Sequence, residues 1–210
     1  MYTGIVQSAC RVESVVKKTD LISLNIILSD ALLADLAIGA SVGLDGVCLT
    51  VTAINKDQVS FDVMQETLSV TTLGMLKAGD LVNVERSAKQ GVEIGGHILS
   101  GHVDARAEIV SKKVSEHNCE VTYKISSEFM PYLFKKGFVA LNGCSLTIAA
   151  VNKENNTFSV CFIPETLRVA THSDKKIGDS INVEIDRQTQ VIVDTVSAFL
   201  QENTSSVTGK

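Results

Sequence analysis

The chain is short of several things, and each shortage removes a class of protein. Only 2 of its 210 residues are proline while 45% are hydrophobic, so the composition is that of a folding chain, not a disordered one. No apolar run approaches the roughly 18 residues that a membrane-spanning helix needs. The opening Met1-Tyr2-Thr3-Gly4-Ile5-Val6 has no positive charge ahead of an apolar stretch, so an export signal is not expected. Basic residues are in deficit. The 19 Lys and Arg against 24 Asp and Glu leave a net charge of −5, without the electrostatic footprint of a nucleic-acid binder. There is no CxxC pair, no dinucleotide-binding glycine motif, no phosphate-binding loop and no nucleophile elbow. The five cysteines (Cys10, Cys48, Cys119, Cys144, Cys161) are odd in number and scattered, which reads as reduced thiols in a cytoplasmic protein. His97 and His102 are separated by four intervening residues without an obvious third or fourth ligand, so no metal site is read from them.

What the chain does have is a repeat. Length alone suits one large domain or two small ones. Ser41–Asn55 aligns with Phe138–Asn152 at an offset of 97, with seven of 15 positions identical, including Gly46/Gly143, Leu49/Leu146 and Thr50/Thr147. The same offset pairs Thr3-Gly4 with Ser100-Gly101. An offset of 99 then pairs Glu66-Thr67-Leu68 with Glu165-Thr166-Leu167, and Asn83-Val84-Glu85 with Asn182-Val183-Glu184. This order predicts two homologous domains, 1–96 and 97–187, and a further segment, 188–210, without a counterpart.

Each half reads as mostly strand. Val47–Ile54 and Cys144–Val151 are apolar, β-branched runs that follow the tight-turn dipeptides Asp45-Gly46 and Asn142-Gly143. Gln58–Val63 and Thr157–Phe162 follow, and Leu81–Glu85 and Ile181–Ile185 close the halves. Several short strands with Gly-containing turns suggest a small closed barrel in each half. Short helices are expected at Asp30–Leu36 and Glu128–Phe134, capped by Ser29 and Ser127. In the last segment Ile192, Val196, Phe199 and Leu200 fall on one helical stripe. Two readings stay open for it: a helix folded back on its own barrel, or a contact between subunits.

The repeat also aligns polar residues within apolar strands: Cys48 with Ser145, and Thr50 with Thr147. Their i, i+2 spacing places each pair on one face of a strand. They read either as hydrogen-bonded core groups or as one pocket built twice. The segments Asp62–Thr67 and Cys161–Thr166 offer further groups to such a pocket, with Glu66 and Glu165 also readable as turn or helix-capping residues.

These residues carry a family resemblance. Met1-Tyr-Thr-Gly-Ile-Val-Gln7, Gly46-Val-Cys-Leu-Thr50, Glu93-Ile-Gly-Gly-His-Ile-Leu-Ser-Gly-His102, Lys136-Gly137, Asn142-Gly-Cys-Ser-Leu-Thr147 and Asn182-Val-Glu-Ile-Asp186 occur in order along nearly the whole chain. In these the chain resembles the lumazine-binding family of riboflavin synthase α subunits. The resemblance implies a mainly β fold of tandem duplicated six-stranded Greek-key barrels with a C-terminal trimerisation helix. It also implies a reaction without a cofactor, in which two molecules of 6,7-dimethyl-8-ribityllumazine become riboflavin and 5-amino-6-ribitylaminouracil by transfer of a four-carbon unit.

Carried over residue by residue, the resemblance implies an N-terminal pocket lined by Gly4, Ile5, Val6, Ser41, Cys48, Leu49, Thr50, Asp62, Val63, Met64, Gln65, Glu66 and Thr67. It implies a C-terminal pocket lined by Gly101, His102, Val103, Ser145, Leu146, Thr147, Cys161, Phe162, Ile163, Pro164, Glu165 and Thr166, with Lys136 reaching ligand at a subunit boundary. Ser145 and Thr147 would act at the substrate's C7 methyl, His102 would shuttle protons, Cys48 would act as nucleophile or relay, and Asp186 would orient a partner. One departure stands out: the family usually has Asp where this chain has Asn142, and Asn where it has Asp45. Two other readings share the resemblance. One is an antenna protein that binds lumazine without turnover, and the other is a structural partner of a lumazine synthase shell, for which no docking motif is visible.

Overall fold

The structure, a computed structural model, describes residues 1–116 and 118–207, with residues 204–207 described by their backbone alone. Two six-stranded antiparallel barrels follow one another along the chain. The first comprises β1 (Ser8–Lys17), β2 (Leu21–Ile27), β3 (Ser41–Leu44), β4 (Val47–Asn55), β5 (Gln58–Met64) and β6 (Leu81–Arg86). It closes in the order β1-β2-β5-β4-β3-β6, a Greek-key arrangement. The second comprises β7 (Ala105–Val114), β8 (Cys119–Lys124), β9 (Phe138–Leu141), β10 (Cys144–Asn152), β11 (Thr157–Phe162) and β12 (Ser180–Ile185), and closes in the equivalent order.

The duplication extends to backbone detail. The turns before β4 and β10 have φ of 45° and 79° at Asp45-Gly46, and 44° and 81° at Asn142-Gly143. Two successive left-handed residues are what a two-residue hairpin loop needs to match strand twist. Register shifts recur at Val51/Ala53 and Ile148/Ala150, and at Val12/Ser14 and Ile109/Ser111, where extra residues bend the strands to close the barrels. The interiors are apolar, filled by Leu24, Phe61 and Val84 in one barrel and by Tyr123, Phe158 and Val183 in the other.

The helices differ from the sequence expectation in places. α1 covers only Asp30–Leu33, because Ala34 leaves the helical region at ψ 121° and Asp35 then turns left-handed at φ 57°, and Ser29 makes no side-chain cap bond. The expected helix at Glu128–Phe134 is a 3₁₀ helix over Ser127–Tyr132. Pro131 withholds a backbone donor there. Ser126, not Ser127, holds the N-cap position, and its hydroxyl donates to Glu128 Oε1 (2.9 Å). Two further helices, α2 (Gln65–Val70) and α3 (Pro164–Val169), follow β5 and β11. α4 (Arg187–Val207) carries the expected stripe. The last three residues of the 188–210 segment lie outside the described residues. α4 is tied to the second barrel by Arg187 to Asp104 (2.8 Å) and by the Tyr132 hydroxyl to Asp194 (2.7 Å). Ile192, Val196, Phe199 and Leu200 stay 52–64% exposed, so the barrels of the same chain leave the stripe uncovered. Among the described residues no helix is long and apolar enough to cross a membrane.

A polar seam joins the barrels, and it too is built twice. Asn83 Nδ2 donates to the Asn142 carbonyl (2.9 Å), while its Oδ1 accepts from the Thr171 amide (2.8 Å). Asn182 Nδ2 donates to the Asp45 carbonyl (2.9 Å), while its Oδ1 accepts from the Thr72 amide (2.7 Å). Within the barrels, Asp45 Oδ1 accepts from the Asn83 amide and Asn142 Oδ1 from the Asn182 amide, both at 2.8 Å. A buried polar group stranded without its partner costs about 1–3 kcal/mol, so this reciprocal pairing fixes one mutual arrangement of the barrels. The symmetry breaks where the family departure falls. The Asp45 carboxyl is fully buried and burial pushes it up to about 6. Asn142 Nδ2 has no partner among the described residues.

Candidate functional site

The two pocket strands receive their closest neighbours from the opposite half of the chain. The Ser145 amide on β10 donates to the Gly4 carbonyl (2.8 Å), and the Cys48 amide on β4 donates to the Gly101 carbonyl (2.8 Å). Val6 packs against the second core and Val103 against the first. The arm before each barrel therefore crosses to the other barrel, and the arms pair with each other through Tyr2 and Leu99. This corrects the sequence-based grouping. Gly4, Ile5 and Val6 belong with Ser145 and Thr147, and Gly101, His102 and Val103 belong with Cys48 and Thr50. Both arm glycines take positive φ, 74° at Gly4 and 80° at Gly101. A Cβ at Gly4 would strike Ser145, and one at Gly101 would strike Cys48 and the Tyr2 ring.

Buried carboxylates anchor the arms. Glu85 Oε1 accepts from the Thr3 amide (2.6 Å) and hydroxyl (2.8 Å), and Oε2 from the Gly4 amide (3.1 Å). Glu184 repeats this with the Ser100 amide and hydroxyl (both 2.7 Å) and the Gly101 amide (3.0 Å). Burial pushes both carboxyls up from their ordinary value, and the donated hydrogen bonds pull them back.

Cys48 and Ser145 have different polar partners. Ser145 Oγ lies 2.6 Å from His97 Nδ1. The imidazole stacks on Phe138 (centroids 5.0 Å apart, 16° between planes) and is 8% exposed. Burial lowers its pKa below the usual 6.5, with the nearby Asp186 charge opposing. A neutral ring at neutral pH can accept the serine proton on Nδ1. Its Nε2 is buried with no hydrogen-bond partner among the described residues. Cys48 Sγ instead accepts from the Tyr2 hydroxyl (3.1 Å).

The remaining expected site residues separate by face. Cys48 and Thr50, like Ser145 and Thr147, lie off the face of their strands that fills the barrel interior. Leu49, Val63, Leu146 and Phe162 turn their side chains into the barrel cores, so what they offer a pocket is backbone. Met64 and Ile163 are exposed at the strand ends, followed by Gln65, Glu66 and Thr67 on α2 and by Pro164, Glu165 and Thr166 on α3. Asp62 accepts from the Ser23 hydroxyl, and Glu165 is paired with Arg168. Gly4, Ile5, Ser145, Ile163, Glu165 and Thr166 line a groove of about 260 Å³. His102 and Cys161 are exposed, Ser41 begins β3 beside Thr50, and Lys136 is exposed with φ 69°. Asp186 caps α4, accepting from Thr189 through its amide (3.1 Å) and hydroxyl (2.7 Å). Sequence reasoning missed His97, Tyr2, Glu85 and Glu184 as site residues. The signal for His97 was the doubled glycine before it: a Cβ at Gly96 would fall on Thr3 and Ser145.

Fold and site together define a tandem pair of small-molecule-binding barrels whose pockets are completed by exchanged arms. The sequence profile of the lumazine binding domain matches twice, over residues 3–87 and 100–186. The chain belongs to this lumazine-binding family, on its riboflavin synthase branch. It is 47% identical to the riboflavin synthase of Escherichia coli strain K12 over 95% of this chain and 93% of that protein. It is 44% identical to that of Buchnera aphidicola subsp. Schizaphis graminum over 99% of each. Among solved structures, LumP complexed with riboflavin superposes with a TM-score of 0.82 at 25% identity, covering 89% of this chain and all (100%) of that one.

Proposed function

We propose that the chain is a riboflavin synthase that converts two molecules of 6,7-dimethyl-8-ribityllumazine into riboflavin and 5-amino-6-ribitylaminouracil, moving a four-carbon unit from one to the other without a cofactor. The observation that carries this reading is the pair of equivalent pocket strands with Cys48 and Ser145 at matching positions, each bonded to the other half's glycine arm. Two copies of one substrate call for two related pockets. The chemistry is not symmetric, and neither are the polar partners. The substrate's C7 methyl is acidic because its carbanion delocalises into the pteridine. Ser145 acts as the base for that methyl, with neutral His97 accepting its proton across 2.6 Å, and Thr147 acts beside it on the same strand face. Cys48 serves the other lumazine as nucleophile or relay, with His102 on the adjoining arm to move protons. Asp186 biases His97 electrostatically while it caps α4.

The exposed stripe of α4 supports a homotrimer in which the N-terminal pocket of one subunit faces the C-terminal pocket of its neighbour, with Lys136 at the boundary. Stacking two substrates in one dry cavity supplies proximity worth as much as roughly 7–11 kcal/mol in ideal cases. The chain units for this reading are 1–96, 97–187 and 188–210, and its setting is the cytoplasm, where the thiols stay reduced. The deciding experiment mixes pure protein with 6,7-dimethyl-8-ribityllumazine and follows riboflavin absorbance and fluorescence. Binding without riboflavin formation would reject the enzyme reading in favour of a lumazine-binding antenna.

A further inference from the structure

We propose that Tyr2 is a positioning residue: its hydroxyl, donated to Cys48 Sγ across 3.1 Å, sets the direction of that thiol. The inference rests on the proposed function for its purpose and on geometry for its substance. The Tyr2 ring is 4% exposed and clamped, with Gly43 on one edge and Gly101 on the other, where added Cβ atoms would lie 3.2 and 2.7 Å from ring carbons. Its backbone is held on both sides by Leu99, whose carbonyl accepts from the Tyr2 amide (2.8 Å) and whose amide donates to the Tyr2 carbonyl (3.0 Å). The hydroxyl therefore has little freedom to point elsewhere.

The duplication makes the arrangement informative. The repeat offset of 97 equates Tyr2 with Leu99 and Cys48 with Ser145, so the second pocket has no counterpart of this donor. Ser145 meets an imidazole that accepts a proton, and Cys48 meets a phenol that gives a hydrogen bond. The titratable groups facing the phenol are Cys48 on β4, Glu85 on β6 and Glu184 on β12. Burial first, and then these neighbours, push Tyr2 further above its usual value, so it stays protonated and remains a donor.

Tyr2→Phe keeps the ring and deletes the donor. Iodoacetamide labelling resolved by mass spectrometry compares Cys48 with the exposed Cys161 in the same molecules. In Tyr2→Phe the Cys48 rate should change about tenfold as the thiol loses the hydrogen bond that fixes its direction, while Cys161 labels as before. An unchanged Cys48 rate overturns the proposal. Tyr2→3-fluorotyrosine, a stronger donor of nearly the same shape, covers the case in which Tyr2→Phe fails to fold. It should move the Cys48 rate in the opposite sense, and no movement overturns the proposal. In a Cys48→Ala background, Tyr2→Phe should lower kcat no further, and a loss equal to that in the wild type also overturns it. The labelling needs no turnover, so a failed riboflavin assay and a failed Tyr2 assignment give different results.

Discussion

Asp45→Asn isolates the one place where the polar seam departs from its own symmetry. Asp45 is fully buried, and its carboxyl is raised from 3.8 to about 6 by burial, against the pull of the Asn83 amide and of Lys175. A raised carboxyl pKa in the folded state means that the fold holds this proton more tightly than the unfolded chain does. The group therefore costs nothing well below pH 3.8, costs more as pH rises through the window to 6, and costs a constant amount above it. The linkage relation makes that cost about 1 kcal/mol at pH 4.5 and about 3 kcal/mol at pH 7.5. Asparagine keeps the Oδ1 acceptor for the Asn83 amide and removes the titration. It also adds a buried amide N–H₂ like that of Asn142, whose Nδ2 has no partner among the described residues. That offset of about 1–3 kcal/mol does not depend on pH. The absolute effect of the substitution is thus small at neutral pH, but the variant should gain about 2 kcal/mol on the wild type between pH 4.5 and 7.5. Urea unfolding of both proteins at several pH values in that range reads the difference directly. A stability difference that stays flat with pH would refute a buried, raised Asp45.

Other consequences of the site are equally open to measurement. Ser145→Ala and Cys48→Ala should each lower turnover at least tenfold while leaving lumazine affinity within a few-fold, and equal loss of both would contradict a chemical role. Because burial lowers the His97 pKa, the acid limb of kcat should lie below pH 6.5, with activity lost as pH falls through it; His97→Gln should abolish that limb. Glu85→Gln places an N–H₂ against amide donors, so Ser145, held by the Gly4 arm, should exchange its amide hydrogen faster while Cys48 does not. Phe199→Asp on the exposed stripe of α4 should reduce the sedimenting species to monomer and cut riboflavin formation with it.

Much of the fold was legible because duplicated turns leave local marks. Asp45-Gly46 and Asn142-Gly143 are required by two successive left-handed residues, and the strands on either side alternate as barrel strands do. The helix expected at Glu128–Phe134 is a 3₁₀ turn over Ser127–Tyr132, because Pro131 cannot donate to an α-helical ladder there. The exchange of arms left no such mark. Gly4 and Gly101 have similar sequence neighbours, so crossing over and folding back share one pattern, and only the Ser145 and Cys48 amide bonds tell them apart. The carboxylates of Glu85 and Glu184 were visible as a repeated Asn-Val-Glu. Strand alternation does not say whether such a glutamate faces solvent or receives an arm. His97 was seen beside His102 and weighed only as a metal ligand, although Gly95-Gly96 before it already signalled a close backbone approach.

The exchange ties the two pockets into one unit. Glu85 in the first barrel holds Thr3 and Gly4, and Gly4 holds Ser145 in the second. Glu184 in the second barrel holds Ser100 and Gly101, and Gly101 holds Cys48 in the first. Neither pocket strand is positioned by its own half alone, so duplication has made two sites that can diverge in side-chain chemistry while sharing one frame. The arms carry the divergence. Each arm, before it crosses, meets its own half's pocket strand: His97 brings an imidazole to Ser145, and Tyr2 a phenol to Cys48. A reaction between two identical molecules needs that difference, because one must lose what the other gains. A perfectly symmetric pair of pockets would bind both substrates and give neither a distinct role.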